Sequence, residues 1–409
     1  MKNAPKGSRL HIGIFGRRNV GKSSLLNAMT RQNVAIVSEI AGTTTDPVEK
    51  PMEFLPIGPV LFIDTAGIDD VGALGQMRVE RTCQVFDRAD VGIIVSDGQW
   101  DRFEEMILEE FASRKIPAIA VFNKSDLAQP SPETLRRLDS RKVAHVCTVA
   151  PRGDGLLDLR EALIRSAPED FLNAPSILGD LVAPGALVVL VVPIDLEAPK
   201  GRLILPQVQC IRDILDSDAC CLVVKERELR DALGRLTAPP ALVVTDSQGF
   251  LKAAADTPPE TPLTSFSILF ARYRGDLDEF VRGTVAIESL RTGDRVLIAE
   301  ACTHHPIGED IGRVKIPRWL TQYVGGKLEL SVVQGHDFPQ DVSPYKLVIH
   351  CGACMWNRRE MRSRIVRCRK AGVPITNYGM TIAYTLGIFE RSLGPFPSAL
   401  ETYRRLTVK

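Results

Sequence analysis

The chain has 409 residues and a mass of 45.0 kDa, enough for two or three domains that each bury a core. Its 51 Lys and Arg nearly balance its 50 Asp and Glu, so the net charge of +1 gives no overall attraction to nucleic acid or membranes. Nine Cys in so long a chain exclude the disulfide framework of a small secreted protein, and the longest apolar run, Gly185 to Ile194, cannot span a bilayer. With no signal peptide visible, we expect a cytoplasmic protein without a nucleic-acid or membrane partner.

A phosphate-binding loop follows the first predicted strand. The apolar run Leu10–Phe15 leads into Gly16–Ser23, which reads G-x-x-x-x-G-K-S, and a helix is predicted from Ser24. In this context the backbone N–H groups of the loop surround the phosphates of a nucleotide, Lys22 neutralises phosphate charge, and the Ser23 hydroxyl coordinates Mg²⁺. The residues predicted to contact the nucleotide here are Gly16, Asn19, Gly21, Lys22, Ser23 and Ser24.

A second part of the nucleotide site is predicted at Asp64–Gly67, which follows the apolar strand Val60–Ile63. A carboxylate at this strand end lies near the Mg²⁺, so Asp64 is assigned to the metal side of the site. Gly67 has no side chain that would keep its N–H from the γ-phosphate. The segment therefore supports nucleotide hydrolysis as well as binding.

The base is predicted to be guanine. Asn123–Asp126 reads N-K-S-D and follows an apolar strand. The Asp126 carboxylate can accept two hydrogen bonds from guanine N1–H and the exocyclic amine, which adenine cannot supply. The aliphatic stem of Lys124 can cover the base. These residues predict GTP rather than ATP.

Over about residues 8–168 the chain resembles the GTPases of the TrmE–Era–Septin-like class. Gly42–Asp46 is similar to their first switch, which would make Thr44 the Mg²⁺-sensing threonine. Val149–Ala150 stands where these enzymes have a Ser-Ala turn against the base, and Asn19 matches the Asn that holds K⁺ in their potassium-activated members. Such a cation neutralises charge that develops during hydrolysis. We therefore predict a potassium-activated GTPase. The residues assigned to catalysis are Lys22, Thr44, Asp64 and Gly67.

The middle of the chain alternates short apolar strands with helical segments, which predicts a small parallel α/β domain. Proline-rich stretches at residues 167–175 and 254–262 bound it, so the domains are expected at 1–170, 171–260 and 261–409. The middle domain carries no acid–base pair, Gly-rich loop or metal spacing, which leaves assembly as its default role. Its three cysteines, all predicted to lie in the core, are Cys210, Cys220 and Cys221.

The last domain again alternates strands and helices, and its cysteines follow strand ends. Cys302 comes shortly after the predicted strand Arg295–Ala299, within C-x-H, and Cys351 and Cys354 follow the strand Tyr345–Ile349, within H-C-x-x-C. In a parallel sheet both strand ends lie at one edge, so these residues can meet despite their separation in sequence. A metal centre is predicted, and from these residues alone both zinc and an iron–sulfur cluster fit.

The order of domains resembles one family, HydF, the GTPases of FeFe-hydrogenase maturation. The resemblance includes Met355–Arg358 and Thr376–Gly379. It implies that Cys302, Cys351 and Cys354 hold a 4Fe-4S cluster with one iron open to an exchangeable ligand. It further implies a homodimer through the middle domain and a diiron precursor as cargo, received from two radical-SAM maturases and delivered to apo FeFe-hydrogenase. The fourth ligand stays open among His304, His305, His350, a nearby carboxylate and water.

The alternative is a regulatory or RNA-modifying GTPase with a structural zinc domain. One further feature is a basic segment, Arg358–Lys370, in which seven of thirteen residues are Arg or Lys. Its apolar residues recur at helical spacing, so one face can pack while the other stays charged. A solvated basic face is one interpretation; capture of the anionic cargo or of an acidic partner is the other.

Overall fold

The computed structural model describes residues 4–30, 47–65, 82–173, 175–193, 203–301 and 310–407. The chain divides into two compact units, Met1–Ala174 and Pro175–Lys409. Several residues that the sequence assigns to sites lie outside the described residues. They are Thr44, Gly67, Cys302, His304 and His305.

The first unit is built on a six-stranded sheet with the strand order β2-β3-β1-β4-β5-β6. Only the pairing of β2 with β3 is antiparallel, so five of the strands end at the same edge. The central strand β1 is buried along its whole length, as its apolar sequence predicts. The strands are Leu10–Gly16 (β1), Val48–Phe54 (β2), Gly58–Asp64 (β3), Val91–Ser96 (β4), Ala118–Asn123 (β5) and Ala144–Thr148 (β6).

Helices cover this sheet, and capping side chains fix where two of them begin. Asp101 accepts a hydrogen bond from the N–H of Phe103, while Glu104 bonds back to the N–H of Asp101. Ser131 accepts from the N–H of Thr134. The helices are Lys22–Thr30 (α1), Arg102–Ser113 (α2), Pro132–Ser140 (α3), Leu156–Ser166 (α4) and Glu169–Leu172 (α5), and residues 82–88 are also helical.

The second unit contains two four-stranded parallel sheets, ordered β10-β9-β7-β8 and β12-β11-β13-β14. One continuous group of buried apolar side chains joins them. β8 and β12 are edge strands, and both are less buried than the central strands β7, β11 and β13. The strands are Leu187–Val191 (β7), Cys220–Val224 (β8), Leu242–Thr245 (β9), Leu263–Ser265 (β10), Arg295–Glu300 (β11), Glu329–Gln334 (β12), Leu347–His350 (β13) and Ile375–Asn377 (β14).

Helices alternate with these strands, which makes the connections of the βαβ type. A π-helical turn, Ile311–Lys315, precedes one of them. The helices are Leu205–Asp216 (α6), Leu229–Gly234 (α7), Phe250–Asp256 (α8), Phe266–Arg274 (α9), Leu277–Val285 (α10), Ile316–Val324 (α11), Arg358–Lys370 (α12), Tyr378–Thr385 (α13), Phe389–Ser392 (α14) and Pro397–Thr407 (α15). Within the described part of the chain, no helix combines the length and apolar character that crossing a bilayer requires.

The predicted fold class, a P-loop domain followed by two smaller parallel-sheet α/β domains, is confirmed. The predicted domain limits stay a prediction; the middle sheet takes a fourth strand from Leu263–Ser265, just beyond the expected limit at residue 260. One detail of the sequence interpretation is wrong. Cys220 is exposed rather than in the core, because β8 is an edge strand whose outer residues face solvent. Cys210 is buried as predicted, and Cys221 is half-buried.

Candidate functional site

The phosphate-binding loop leaves β1 at Gly16 and enters α1 at Lys22. Both glycines of the motif are required by their surroundings. Gly16 has φ of 146°, and a Cβ there would lie 2.3 Å from the carbonyl oxygen of Val95. Gly21 has φ of 93°, and its Cβ would lie 2.2 Å from Nδ2 of Asn123. A side chain at either position would therefore displace the loop.

Lys22 and Ser23 lie at the start of α1, where helix N–H groups favour an anion. The Lys22 ammonium is buried and donates to the carbonyl oxygens of Gly16 at 2.9 Å and Arg17 at 2.7 Å, so it spans the loop. Ser23 Oγ donates to Asp64 Oδ2 at 2.7 Å. Ser24 follows in the first turn of α1. This position agrees with the predicted roles of Lys22 at the phosphates and of Ser23 at Mg²⁺.

The Asp64 carboxyl group fits a cation. It lies at the end of β3 and is buried, and burial raises its pKa while the bond from Ser23 and the charge of Lys22 lower it. Its Oδ1 is buried without a hydrogen-bond partner among the described residues. Carboxylate and hydroxyl oxygens are the protein ligands Mg²⁺ prefers, so Asp64 and Ser23 form a suitable pair.

Asn123 joins the phosphate side of the site to the base side. Its Nδ2 donates to the carbonyl oxygen of Val20 at 2.9 Å, while its Oδ1 accepts from the N–H of Ala150 at 3.1 Å and from Thr148 Oγ1 at 3.2 Å. The side chain is 1% exposed. Asn123 therefore fixes two loops from separate strand ends, a role its place in N-K-S-D did not reveal.

The other residues predicted to contact the base are Lys124, Asp126, Val149 and Ala150. Lys124 Nζ donates to the carbonyl oxygen of Asn19 at 2.6 Å, which again connects the base motif with the phosphate loop. Asp126 Oδ2 lies 3.2 Å from Arg152 Nη2. The N–H of Val149 bonds to Asp154, which closes the turn containing Ala150. These contacts connect the phosphate loop with the N-K-S-D segment and the turn at Ala150, and the assignment of these residues to GTP stays a prediction.

The second candidate site lies where the strands of the last sheet end. Glu300, His350 and Asn377 end β11, β13 and β14, and the register pairs Ala299 with His350 and His350 with Asn377. The sheet is parallel, so these strand ends share one edge. Cys351 follows His350 directly, at the edge where ligands of such folds bind.

Cys351 is held in a polar backbone setting. Its Sγ accepts the N–H of Ala301 at 3.0 Å, and its own N–H bonds to the carbonyl oxygen of Ala299 at 2.9 Å. Burial raises the pKa of the Cys351 thiol to about 11, whereas the N–H groups of Ala301 and Ala353 lower it. N–H donors directed at sulfur stabilise a thiolate, the form that binds metal.

The loop between Cys351 and Cys354 turns at Ala353, which has φ of 50°. Residues other than glycine rarely adopt this left-handed conformation, so the surroundings must hold it. Ala353 is buried, and its carbonyl oxygen accepts the N–H of Trp356 at 3.0 Å. Neither cysteine forms a disulfide with another described residue, and both are partly exposed, which leaves them accessible to a soft metal.

His350 is buried, and both of its ring nitrogens are engaged. Nδ1 lies 2.8 Å from the carbonyl oxygen of Cys351, and Nε2 lies 3.1 Å from Arg364 Nη1. Burial and the charge of Arg364 lower the His350 pKa to about 3. Because both ring nitrogens are engaged, the geometry favours a position of His350 beside the proposed ligands over direct coordination.

Glu300 is a buried carboxylate that the sequence interpretation did not single out, two residues before Cys302. Its Oε2 accepts from Gln334 at 3.0 Å and Arg313 at 3.3 Å, and its Oε1 accepts from the Tyr378 hydroxyl at 3.4 Å. Burial, with the nearby negative groups, raises the pKa of Tyr378. The position of Glu300 at the end of a buried strand is the sequence feature that could have identified it as a site residue.

No group of three His, Cys, Asp or Glu side chains suited to a metal ion occurs among the described residues. The predicted set needs Cys302, which is not among them. Cys351 and Cys354 form no disulfide with another described residue, and an N–H group is directed at the sulfur of Cys351. This donor chemistry fits a thiolate-bound iron–sulfur cluster or zinc. Three-cysteine ligation therefore stays a prediction.

The basic segment forms α12, but several of its charges are already engaged. Arg364 is buried, Arg367 donates to the carbonyl oxygens of Phe338 and Pro339, and Arg369 pairs with Glu279 at 3.0 Å and Asp276 at 3.6 Å. The segment is therefore not a uniformly solvated basic face.

Comparisons with known proteins cover all three parts of the chain. Residues 11–124 match a family described as 50S ribosome-binding GTPase. Residues 177–275 match the hydrogen maturase F dimerization domain, and residues 278–395 match the hydrogen maturase F tetramerization domain. The chain therefore combines a GTPase domain with two oligomerization domains of one maturase family.

The curated relatives resemble the first unit. A tRNA modification GTPase MnmE from Synechococcus sp. (strain JA-2-3B'a(2-13)) is 42% identical over 174 residues, which are 40% of this chain and 36% of the relative. The MnmE of Cyanothece sp. (strain PCC 7425 / ATCC 29141) is 38% identical over 160 residues, 38% of this chain and 34% of the relative. The chain thus spans about a third of the length of these relatives.

Among solved structures, Era from Aquifex aeolicus aligns with 61% of this chain and 99% of its own, at 22% identity and a TM-score of 0.35. The G domain of the T. maritima FeoB iron transporter aligns with 39% of this chain and 99% of its own, at 24% identity and a TM-score of 0.31. In the sequence, the two maturase domains follow directly after the GTPase domain, as the resemblance implied, and the chain belongs to the hydrogen maturase F (HydF) family.

Proposed function

We propose that this chain is a cytoplasmic GTP-hydrolysing scaffold that binds a 4Fe-4S cluster and delivers a diiron subcluster to apo FeFe-hydrogenase. The observation that carries the proposal is the pairing of a GTPase unit with both maturase domains, the second of which holds Cys351 and Cys354 at the ligand-binding edge of its sheet. The diiron precursor is cargo, received from radical-SAM maturases.

In the GTPase unit, Lys22 would neutralise the phosphates, and Ser23 and Asp64 would hold Mg²⁺ directly or through water. The buried Asp64 Oδ1, which has no hydrogen-bond partner in the described part of the chain, supports the metal assignment. Thr44 and Gly67 are proposed to contact the Mg²⁺ and the γ-phosphate. Bound Mg²⁺ would supply charge neutralisation to the hydrolysis of GTP.

In the last domain, Cys302, Cys351 and Cys354 would hold the cluster. Ala301 supports this set, since it precedes Cys302 in the sequence and donates its N–H to Cys351 Sγ. Three protein thiolates leave one iron open to an exchangeable ligand, and His304 stays a candidate for that position. The cluster would supply an attachment point for the cargo.

Anaerobic purification followed by an activation assay tests the whole proposal. We expect brown protein with iron and acid-labile sulfide which, after loading with diiron precursor, activates an apo FeFe-hydrogenase. Colourless protein that contains zinc and no sulfide would overturn the cluster assignment. A cluster-containing protein that activates nothing would overturn the role as a carrier.

Potassium activation is a separate prediction that rests on Asn19. This residue lies in the phosphate loop with φ of 61° and an exposed side chain. In Asn19→Ala we expect the rate of GTP hydrolysis in K⁺ to fall about tenfold, to the rate in Na⁺, because the cation that neutralises developing charge is lost. Hydrolysis rates in the two salts, with GDP titration as a control for binding, measure this effect. Equal wild-type rates in both salts would contradict it.

For the homodimer, we propose that strand β8 forms the interface between the two chains. Apolar side chains remain exposed on β8 and on the neighbouring helix α6, at Val223, Val208 and Leu215. An edge strand of this kind can pair with its copy in a second chain. The N–H of Cys220 bonds to Ala186, and alternation along a parallel ladder then directs the N–H groups of Cys221 and Val223 outward.

Val223→Pro tests this interface. Proline removes one outward N–H and leaves the hydrogen bonds to β7 intact, so we expect the solution mass to fall by half while GTP hydrolysis continues. Light scattering measures the mass, and Val223→Thr, which keeps both shape and N–H, is the matched control. An unchanged mass for the proline variant would place the dimer contact elsewhere.

A further inference from the structure

Arg364 carries a positive charge into the interior of the last domain. It lies in α12, in the middle of the basic segment, yet it is only 3% exposed. Arginine stays protonated in proteins, and a buried charge is costly unless several contacts compensate it. The position of Arg364 therefore requires an explanation that a solvated basic helix does not give.

Its contacts lead directly to the cysteine loop. Arg364 Nη2 donates to the carbonyl oxygen of Gly335 at 2.7 Å, and Nη1 lies 3.1 Å from His350 Nε2. The guanidinium also lies over the rings of Trp356 at 3.9 Å and Phe338 at 4.5 Å. Cation–π contacts with two rings fix the plane of the guanidinium, so its hydrogen bonds have one direction.

The direction of these bonds assigns the His350 proton. A guanidinium has donors and no acceptor, so His350 Nε2 must accept, and the ring proton is on Nδ1. Nδ1–H then donates to the carbonyl oxygen of Cys351 at 2.8 Å. A chain of hydrogen bonds runs from Arg364 through His350 to the backbone of Cys351.

We propose that Arg364 is a positioning residue of the cluster site, which orients Cys351 through His350 and supplies positive charge beside the thiolates. This role rests on the proposed function. The same hydrogen bonds exclude His350 as a ligand while Arg364 is in place. Nε2 accepts from Arg364, and Nδ1–H donates to the carbonyl oxygen of Cys351, so neither nitrogen has a lone pair for a metal.

The charge has a measurable consequence for a cluster bound there. Reduction adds negative charge to a thiolate-ligated cluster, so a cation in the low-dielectric interior stabilises the reduced form and raises the reduction potential. The Glu360 carboxylate offsets part of this effect, since its Oε1 lies 3.9 Å from Arg364 Nη2. The offset is only partial, because the same oxygen lies closer to His336 Nδ1, at 2.7 Å. Removing the guanidinium should therefore lower the potential.

The first measurement needs no cluster. The chain has six His, few enough for ¹⁵N-histidine labelling of the full-length apo-protein to resolve their tautomers. We expect His350 as the Nδ1–H form in the wild type and a loss of that preference in Arg364→Gln. Arg367→Gln is the matched control, because Arg367 lies on the same helix and near Phe338 but donates to backbone carbonyl oxygens.

The second measurement is a redox titration of the reconstituted cluster followed by electron paramagnetic resonance. At fixed potential we expect Arg364→Gln to lower the ratio of reduced to oxidised cluster about tenfold, which is 59 mV for a one-electron couple. Arg364→Lys keeps the charge without the planar fork, so it should disturb the His350 tautomer but shift the potential less. If Arg364→Gln does not fold, Arg364→Lys still tests the orienting role through the His350 tautomer.

The outcomes separate this role from the proposed function. A wild type that binds no iron would overturn both. A wild type with a cluster, whose potential shifts no more in Arg364→Gln than in Arg367→Gln, would overturn the role of the charge alone. His350 as the Nε2–H form in the wild type would overturn the orienting role. Iron content unchanged across all variants, with the expected shifts, supports the assignment.

Discussion

Replacing Cys351 by Ala is expected to remove the iron–sulfur cluster while GTP hydrolysis continues. A proposed set of three protein thiolates has no spare member, and residues that only orient ligands already change metal affinity ten- to a hundredfold. We therefore expect iron and sulfide per chain to fall at least about tenfold in Cys351→Ala and in Cys354→Ala. The nucleotide residues lie in the other compact unit, so the hydrolysis rate should be retained.

Cys368→Ala is the matched control for these variants. Cys368 lies in α12 and is fully buried in the apolar core, where burial raises its pKa to about 12. A thiol in such surroundings behaves as a small apolar side chain, so its loss should leave the iron content unchanged. Full iron and sulfide in Cys351→Ala would contradict the three-cysteine site. Loss of iron in Cys368→Ala would show that a cavity in the core is enough to release the cluster, so that iron loss in the other variants would not identify ligands.

Much of the fold could be predicted from the sequence because buried parallel strands are continuous apolar runs. Leu10–Phe15 predicted β1 to within a residue, and β7 is one of the short apolar strands expected in the middle domain. The three-residue strand β10 was missed, since Leu263–Ser265 has neither the length nor the apolar content that identifies a strand. Tertiary pairing with β9 forms it, which also moves the limit of the middle sheet.

The candidate sites were predictable where a short motif carries the chemistry, as in Lys22, Ser23 and Asp64. Contacts made across the fold were not. Arg364 belongs to the basic segment, yet it lies three residues after Met361 and four before Cys368, which places it on the packed stripe of α12. This helical spacing indicates that Arg364 is buried. An arginine is rarely expected at a buried position, so the residue type argued against that interpretation.

Asn123→Ala is expected to weaken GDP and GTP binding about a hundredfold, or about 2.8 kcal/mol. The change removes three buried hydrogen bonds at once, which leaves the carbonyl oxygen of Val20 and the N–H of Ala150 without the partner that joins their loops. Each unsatisfied buried group costs about 1–3 kcal/mol, and both loops must be ordered for a nucleotide to bind. Isothermal titration with GDP and a GTP analogue measures the loss.

Ser125→Ala is the matched control, because Ser125 lies in the same motif and its hydroxyl also contacts the end of β6. Its Oγ donates to the carbonyl oxygen of Thr148 at 3.2 Å, which the N–H of Ser125 contacts at the same distance, so the loss of the hydroxyl is compensated. We expect its nucleotide affinity to stay within about threefold of the wild type, well under 1 kcal/mol. Melting curves of the nucleotide-free proteins distinguish loop disorder from unfolding. If Asn123→Ala bound GDP as tightly as Ser125→Ala, the link between the phosphate loop and the base turn would not determine affinity.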